Sequence, residues 1–336
     1  MTPRDLVIRT LEFDSPPRVP RQMWLLPWAQ LHYPRQAEDI QRRFPDDLVS
    51  SPGFWAQPLR ATGDRHRRGI SVDEWGCTFE NIQDGVIGEV KDPVLADWSR
   101  LADLRVPVER LTVEVERVND FCRDTDRFVI SAVCPRIFER LQFLRGTENL
   151  LCDLLDRPSE LTELIGIIHD FHLREFSLWA GTDVDALYIM DDWGAQRSML
   201  ISPALWREVF RPLYADYIAI AHNAGKYMFM HSDGYITDII GDLIELGLNA
   251  INSQIFCMGV EELGQRFAGQ ITFWGELDRQ QLLPHGTSDE IIAAASRMKD
   301  SLHRDGGLIA QCEFGAGANP DNVRTFFEFW DQPSES

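Results

Sequence analysis

His231 closes the run Lys226-Tyr227-Met228-Phe229-Met230-His231-Ser232-Asp233-Gly234, where a short apolar, aromatic-rich stretch passes into an imidazole, an acid and a glycine. Two later runs end the same way. Ile271-Thr272-Phe273-Trp274-Gly275-Glu276 ends on a carboxylate, and Leu308-Ile309-Ala310-Gln311-Cys312 on a thiol. His, Cys and carboxylate are the donors from which a catalytic zinc site draws three protein ligands while keeping a fourth position open. Borderline-soft Zn²⁺ suits this mixture better than Mg²⁺ or Ca²⁺. His231, Glu276 and Cys312 are therefore the expected metal ligands, with Asp233 a spare carboxylate. An open position on such a site binds a substrate oxygen as a Lewis acid. The competing reading makes Cys312 buried packing and His231 a hydrogen-bonded rim residue.

These residues need elements that bring them together. Strand-like runs alternate with amphipathic helices, the pattern of parallel βαβ units. The runs are Val19–Trp24, Phe128–Val133, Ala186–Met190, Tyr227–Met230, Ala250–Asn252, Ile271–Trp274 and Leu308–Gln311. Their near-continuous apolar character suits strands buried on both faces. Helix signals lie between them. Ser202-Pro203 starts a helix that Arg211-Pro212 breaks, Thr237–Leu246 stops at Gly247, Thr287 and Glu290 form a capping box, and Asn319-Pro320 opens the last helix. No GxGxxG follows an early strand, so a doubly wound dinucleotide fold has little support. The expected fold is α/β, a TIM-type (β/α)8 barrel spanning 1–336 as one domain. A β-hairpin insertion at about 71–94 is expected from Val72–Gly76 and Val86–Val90.

In such a barrel the functional groups gather at the C-terminal ends of the strands. Those positions hold Asp191-Asp192-Trp193-Gly194, His231-Ser232-Asp233-Gly234, Asn252 with Gln254, Gly275-Glu276-Leu277-Asp278 and Cys312-Glu313-Phe314-Gly315. Asp192, Asp233 and Glu313 are candidate proton donors or ligand-orienting groups. Asn252, Gln254, Trp193, Trp274 and Phe314 are candidate substrate contacts. His169 and His172 lie three apart on a helix running Leu161–Ala180 and read as a solvated face. Asp183 and Asp185 precede a strand and read as turn chemistry.

Composition narrows the function. The chain has 336 residues, 44% of them apolar, and a formal charge of −20. That charge argues against nucleic acid as a partner. No apolar run approaches the ~20 residues that span a bilayer, so no membrane role is expected. The N-terminus lacks a signal-peptide layout, which makes a cytoplasmic protein the expectation. Six cysteines without a CxxC pair point to reduced thiols. A homodimer is allowed but not indicated.

The ordered set Asp191-Asp192-Trp193-Gly194-Ala195-Gln196, Ile201-Ser202-Pro203-Ala204-Leu205-Trp206, His231-Ser232-Asp233-Gly234, Phe273-Trp274-Gly275-Glu276-Leu277-Asp278 and Asn319-Pro320-Asp321-Asn322-Val323 resembles the uroporphyrinogen decarboxylase superfamily, and within it the corrinoid-dependent methyltransferase branch. The resemblance runs from roughly Arg18 to Phe329. It implies a barrel and a zinc ion, with cobalamin carried by a partner corrinoid protein. It also implies zinc ligands of the type His, Cys two residues later, and Cys near the last strand. His231 and Cys312 match the first and last, but Asp233 stands where the middle cysteine would be. Fewer thiolates make a zinc more Lewis acidic, which suits an ether oxygen better than a thiol. The expected reaction moves a methyl group from a small methoxylated substrate to a corrinoid protein. A metal-free decarboxylase-like lyase and a methylcobamide:thiol methyltransferase are the alternatives. Decarboxylases of the family grip porphyrinogen carboxylates with an Arg-Gln-Ala-Gly-Arg-type segment. Here the region reads Arg18-Val19-Pro20-Arg21-Gln22-Met23, and the rim is expected to be acidic.

Overall fold

A computed structural model describes residues 1–331. Eight parallel strands run in chain order around a barrel: β1 (Arg21–Leu25), β2 (Leu48–Ser50), β6 (Phe128–Ile130), β7 (Ala186–Met190), β8 (Tyr227–Ser232), β9 (Ala250–Ser253), β10 (Thr272–Trp274) and β11 (Leu308–Phe314). The short β2 carries too little apolar sequence to stand out. Between β2 and β6 lies a separate antiparallel sheet of β3 (Gly69–Val72), β4 (Thr78–Asn81) and β5 (Glu89–Val90). The expected hairpin is therefore a three-stranded sheet. Its turn falls at residues 73–77, where Asp73 Oδ1 accepts from the amides of Trp75 and Cys77.

β1 and β2 are the two ends of the ladder, and acidic side chains close the seam between them. Asp47 accepts from the Arg21 amide at 2.8 Å and takes Arg18 in a two-pronged pair at 2.6 and 2.7 Å. Asp46 accepts from the Met23 amide at 2.7 Å. Arg21 reaches Asp331 at 2.6 Å. Arg18 and Arg21 are thus committed to closing the barrel.

Side chains alternate between two apolar sets, as a strand period of two requires. One fills the lumen: Phe128, Tyr188, Phe229, Trp274 and Ile309 stack beneath the mouth, and Val7 and Leu11 of helix Pro3–Leu11 plug the bottom. The other set packs the strands against the helices and includes Met228, Met230, Ile251, Phe273, Ala310, Cys312 and Phe314. The helices form where their signals lie. Pro203–Val209 and Arg211–Asn223 are separate, Thr237–Leu246 ends on left-handed Gly247, and Thr287 caps Ser288–Leu302.

Removing Asp47 strips the seam of three hydrogen bonds. Asp47→Ala is expected to cost about 3 kcal/mol of stability, read as a lowered urea midpoint. An unchanged midpoint would show that the backbone closes the barrel unaided.

Candidate active site

The alternation that fills the lumen also selects which strand-end groups meet. On β8, Tyr227 and Phe229 point inward, and so does His231. Its Nδ1 contacts Asn252 Oδ1 at 2.6 Å, and Asn252 in turn donates to the Trp274 carbonyl. This chain fixes the ring and leaves Nε2 facing Asp192 Oδ1 and Asp233 Oδ1, each at 3.5 Å. Ligand atoms of Asp192, His231 and Asp233 lie within 4.8 Å of one another.

Two glycines allow the acids to approach. Gly234 has φ +76°, and a Cβ there would sit 2.2 Å from the Gly194 carbonyl oxygen. A Cβ on Gly194 would sit 2.3 Å from the Tyr235 amide nitrogen. With the loops in contact, Asp192 Oδ1 accepts from the Asp233 amide at 2.9 Å, and the Asp233 carbonyl accepts from the Gly194 amide at 3.1 Å. Asp191, one residue earlier, points the other way. It accepts from the amides of Phe138 and Glu139 and from the Tyr214 hydroxyl, which pins the start of helix Ile137–Arg145 to the same loop.

Arg279 knits the far side together. It pairs with Asp233, with Glu313 at 2.8 Å and with Glu276 at 3.5 Å. Glu276 is fully buried, and neither of its oxygens has a hydrogen-bond partner. Burial lifts its carboxyl to about 8, against the pull of Arg279. Burial also raises Glu313. For Asp192, burial acts upward, but the hydrogen bond and charge of His231 outweigh it and hold the group low. Burial would lower His231, yet Asp192 and Asp233 lift it to about 9. Asp233 Oδ1, which has no hydrogen-bond donor, and Asp192 beside an imidazole make a donor set suited to a divalent cation.

Several expected residues stand elsewhere. Cys312 pairs in register with Met23 and falls on the outer face of β11, buried against the helical layer, so alternation turns its thiol away from His231. Glu313, its neighbour, takes the inner face. Glu276 stays outside the close trio. Trp193 is fully buried, stacked on Phe138 at 4.3 Å, with its Nε1–H on the Tyr214 hydroxyl. Trp274 belongs to the lumen core and donates to Gln22 Oε1. Phe314 is buried on the outer face against Tyr33. Asn252 orients His231, while Gln254 accepts from the Gly234 amide.

The helical histidines correct their expectation in part, because His172 is buried and His169 is half-buried. His172 is buried and contacts Glu175 at 3.4 Å, and His169 contacts the Tyr217 hydroxyl and Asp216. Asp185 does serve structure, accepting from the Val129 amide and Arg4. Three site residues lacked a motif to flag them. Trp24, at the end of β1, sits 5.2 Å from the His231 ring. Arg279 lies one residue past the strand-end run that holds Glu276. Cys257 lines a cavity of about 200 Å³ with Gln254, Glu276 and Arg279, its thiol bonded to the Gln254 carbonyl.

A larger cavity of about 510 Å³ opens between the β3–β5 sheet and the mouth and reaches Asp192. Arg65, Arg110, Arg136 and Arg140 line it. Asp73, Glu74, Glu139 and Asp192 line it too, so this part of the rim is mixed in charge where the sequence led to the expectation of an acidic one. The arginines come from the segment between β2 and β6 and from the segment after β6. A third cavity, of about 680 Å³, meets Asp233, Arg279 and Glu313. None of the three touches Trp193, Trp274 or Phe314.

The family model described as uroporphyrinogen decarboxylase (URO-D) matches residues 71–332. The chain belongs to that family. Among solved structures, this URO-D chain is similar to a methyltransferase from Methanosarcina mazei, at TM-score 0.66 and 14% identity over 98% of both chains. Weaker likeness extends to a B12-independent methionine synthase from Shewanella sp. W3-18-1, with TM-score 0.42 and 14% identity over 88% of this chain and 84% of that one. No curated protein matches the sequence significantly. At 14% identity the likeness to the methyltransferase structure shows the barrel fold alone. No helix among the described residues is long and apolar enough to cross a membrane.

The raised His231 has a consequence in the metal-free protein. Its pKa in the fold, about 9, exceeds the ~6.5 of an unfolded histidine. The ion pairs with Asp192 and Asp233 therefore add stability fully below pH ~6.5 and lose it as pH rises through about 9. In chelator, the wild-type denaturation midpoint is expected to fall between pH 6.5 and 9.5 more steeply than that of His231→Gln. Parallel profiles would rule out a charged His231.

Proposed function

We propose that this URO-D chain is a methyltransferase that moves a methyl group from a small methoxylated compound to a corrinoid protein, with a zinc ion at the barrel mouth. The observation that carries the reading is the convergence of His231, Asp192 and Asp233 near the buried Glu276, whose oxygens have no hydrogen-bond donor. The full-length likeness to a protein described as a methyltransferase supports the choice of activity within the family.

Asp192, His231 and Asp233 would hold the zinc. Zn²⁺ bound by nitrogen and oxygen donors, without thiolate, supplies Lewis acidity toward an ether oxygen. The chain's own groups do the rest. Asn252 holds the His231 ring so that Nε2, not Nδ1, faces the mouth. Arg279 keeps Asp233 and Glu313 in place. Glu276 carries a proton near neutral pH and delivers it to the oxygen that the methyl group leaves, so the products are an alcohol or phenol and a methylated corrinoid. Glu313, also raised, is the reserve acid. The methyl acceptor, cobalamin, would be carried by a separate corrinoid protein.

This assignment revises the ligand set expected from the sequence. Asp192 and Asp233 move from proton donors to ligands, Glu276 moves from ligand to acid, and Cys312 leaves the site. Its outward position also weakens the thiol methyltransferase alternative. A porphyrinogen decarboxylase would require cations for eight carboxylates, and Arg18 and Arg21 are occupied at the seam.

Zinc-loaded protein mixed with reduced cobalamin, or with a corrinoid protein, and a panel of methoxylated aromatics should form methylcobalamin. Asp192→Ala and Asp233→Ala should each weaken zinc binding by at least about tenfold, while Cys312→Ser keeps full zinc occupancy. If no donor in the panel gives methylcobalamin, the methyltransferase reading is wrong. Loss of zinc on Cys312→Ser would restore the thiolate site.

A further inference from the structure

Of the four carboxylates at the mouth, Glu276 alone stands off both large cavities. The cavity of about 510 Å³ meets Asp192, and that of about 680 Å³ meets Asp233 and Glu313. Glu276 lines the small cavity of about 200 Å³ instead. The other walls of that space come from the loops after β7, β9 and β10, through Gln196, Gln254, Cys257 and Gln281 among others. No residue of the β3–β5 sheet lines it. Arg279 lines both this cavity and that of about 680 Å³, and its pairs with Asp233, Glu276 and Glu313 hold the partition in place.

The inner end of the small cavity is chemically unfinished. Glu276 is 1% exposed, its two oxygens have no hydrogen-bond donor, and Arg279 comes no closer than 3.5 Å. A buried polar group without a protein partner is met by ordered water where the space is polar and large enough. A water takes up about 30 Å³ of liquid, so a short row of waters fits. Glutamine amides bond water both as donors and as acceptors. The outer end reaches the surface at Gln196 and Gln281, which are exposed.

We infer that this cavity is a water-filled side entrance through which Glu276 exchanges its proton with solvent, separately from the mouth. Its use in catalysis rests on the methyltransferase reading above. When methyl leaves, the electrons of the carbon–oxygen bond stay on the oxygen, which takes the Glu276 proton. The acceptor supplies the electron pair for the new bond to carbon. The carboxylate left behind must regain one proton from solvent before the next cycle. Both reactants then cover the mouth, whereas the side cavity stays open. Water passes a proton to a carboxylate over one hydrogen bond.

Infrared spectroscopy on zinc-loaded protein near neutral pH tests this. The acid carbonyl band of Glu276, assigned by its absence in Glu276→Gln, shifts as deuterium replaces the proton after mixing with heavy water. Gln281→Trp and Gln196→Trp narrow the outer end from two different loops, and both positions are exposed, so the variants fold. Each should slow the exchange at least about tenfold, while Ala316→Trp, on the cavity of about 680 Å³, leaves it within about twofold. Exchange unchanged in both glutamine variants, or slowed as much by Ala316→Trp, overturns the proposal. So does the lack of an acid band for Glu276. In methyl transfer, the two glutamine variants should match wild type in the first turnover and fall at least about tenfold behind in later ones. Later turnovers at the wild-type rate would remove the side entrance from catalysis. Wild-type protein that forms no methylcobalamin ends the methyltransferase reading, while the exchange rates still decide whether the entrance exists.

Discussion

The negative charge gathered at the barrel mouth has to be balanced, and the surrounding structure is arranged around that requirement. Asp192, Asp233, Glu276 and Glu313 gather round His231 and Arg279, Glu276 fully buried and the others partly so. Carboxylates so placed either take up protons or collect cations. Both outcomes are present. His231 is held positive between two acids, Arg279 spans three, and burial keeps a proton on Glu276 against the pull of Arg279. A divalent cation would meet the same need with ligands already in place.

The scaffold makes this costly arrangement tolerable. Aromatic and aliphatic side chains pack the lumen beneath the mouth, so the acids rest on a rigid floor. The Gly194–Gly234 contact brings the β7 and β8 loops together, and Asp191 ties one of them to helix Ile137–Arg145. The β3–β5 sheet roofs the other side and turns an open rim into a half-enclosed cavity. That cavity and the charged cluster share one residue, Asp192.

Much of this was legible in the sequence. The strand-end positions of Asp192, His231, Asp233, Glu276 and Glu313 followed from apolar runs alternating with capped helices, and most strands and helices lie where those signals put them. What failed was parity. Cys312 and Glu313 are neighbours, and a one-residue difference in where a strand leaves the barrel decides which of them faces inward. Nothing local in Leu308–Phe314 records that choice; the lumen packing of Ile309 does. Trp193 and Trp274 failed for a related reason, since a tryptophan at a strand end fills the layer below the mouth as readily as it lines the mouth. Arg65 and Arg136 carried no motif, and their place on one cavity depends on how the segment between β2 and β6 folds over the barrel.

The central claim is that the metal at this mouth is held by imidazole and carboxylates, without sulfur. X-ray absorption on the zinc-loaded protein tests it most directly. The account predicts a first shell of nitrogen and oxygen alone, at about 2.0–2.2 Å. A scattering shell at about 2.3 Å, the distance of a zinc–thiolate bond, would place a cysteine on the metal and contradict it.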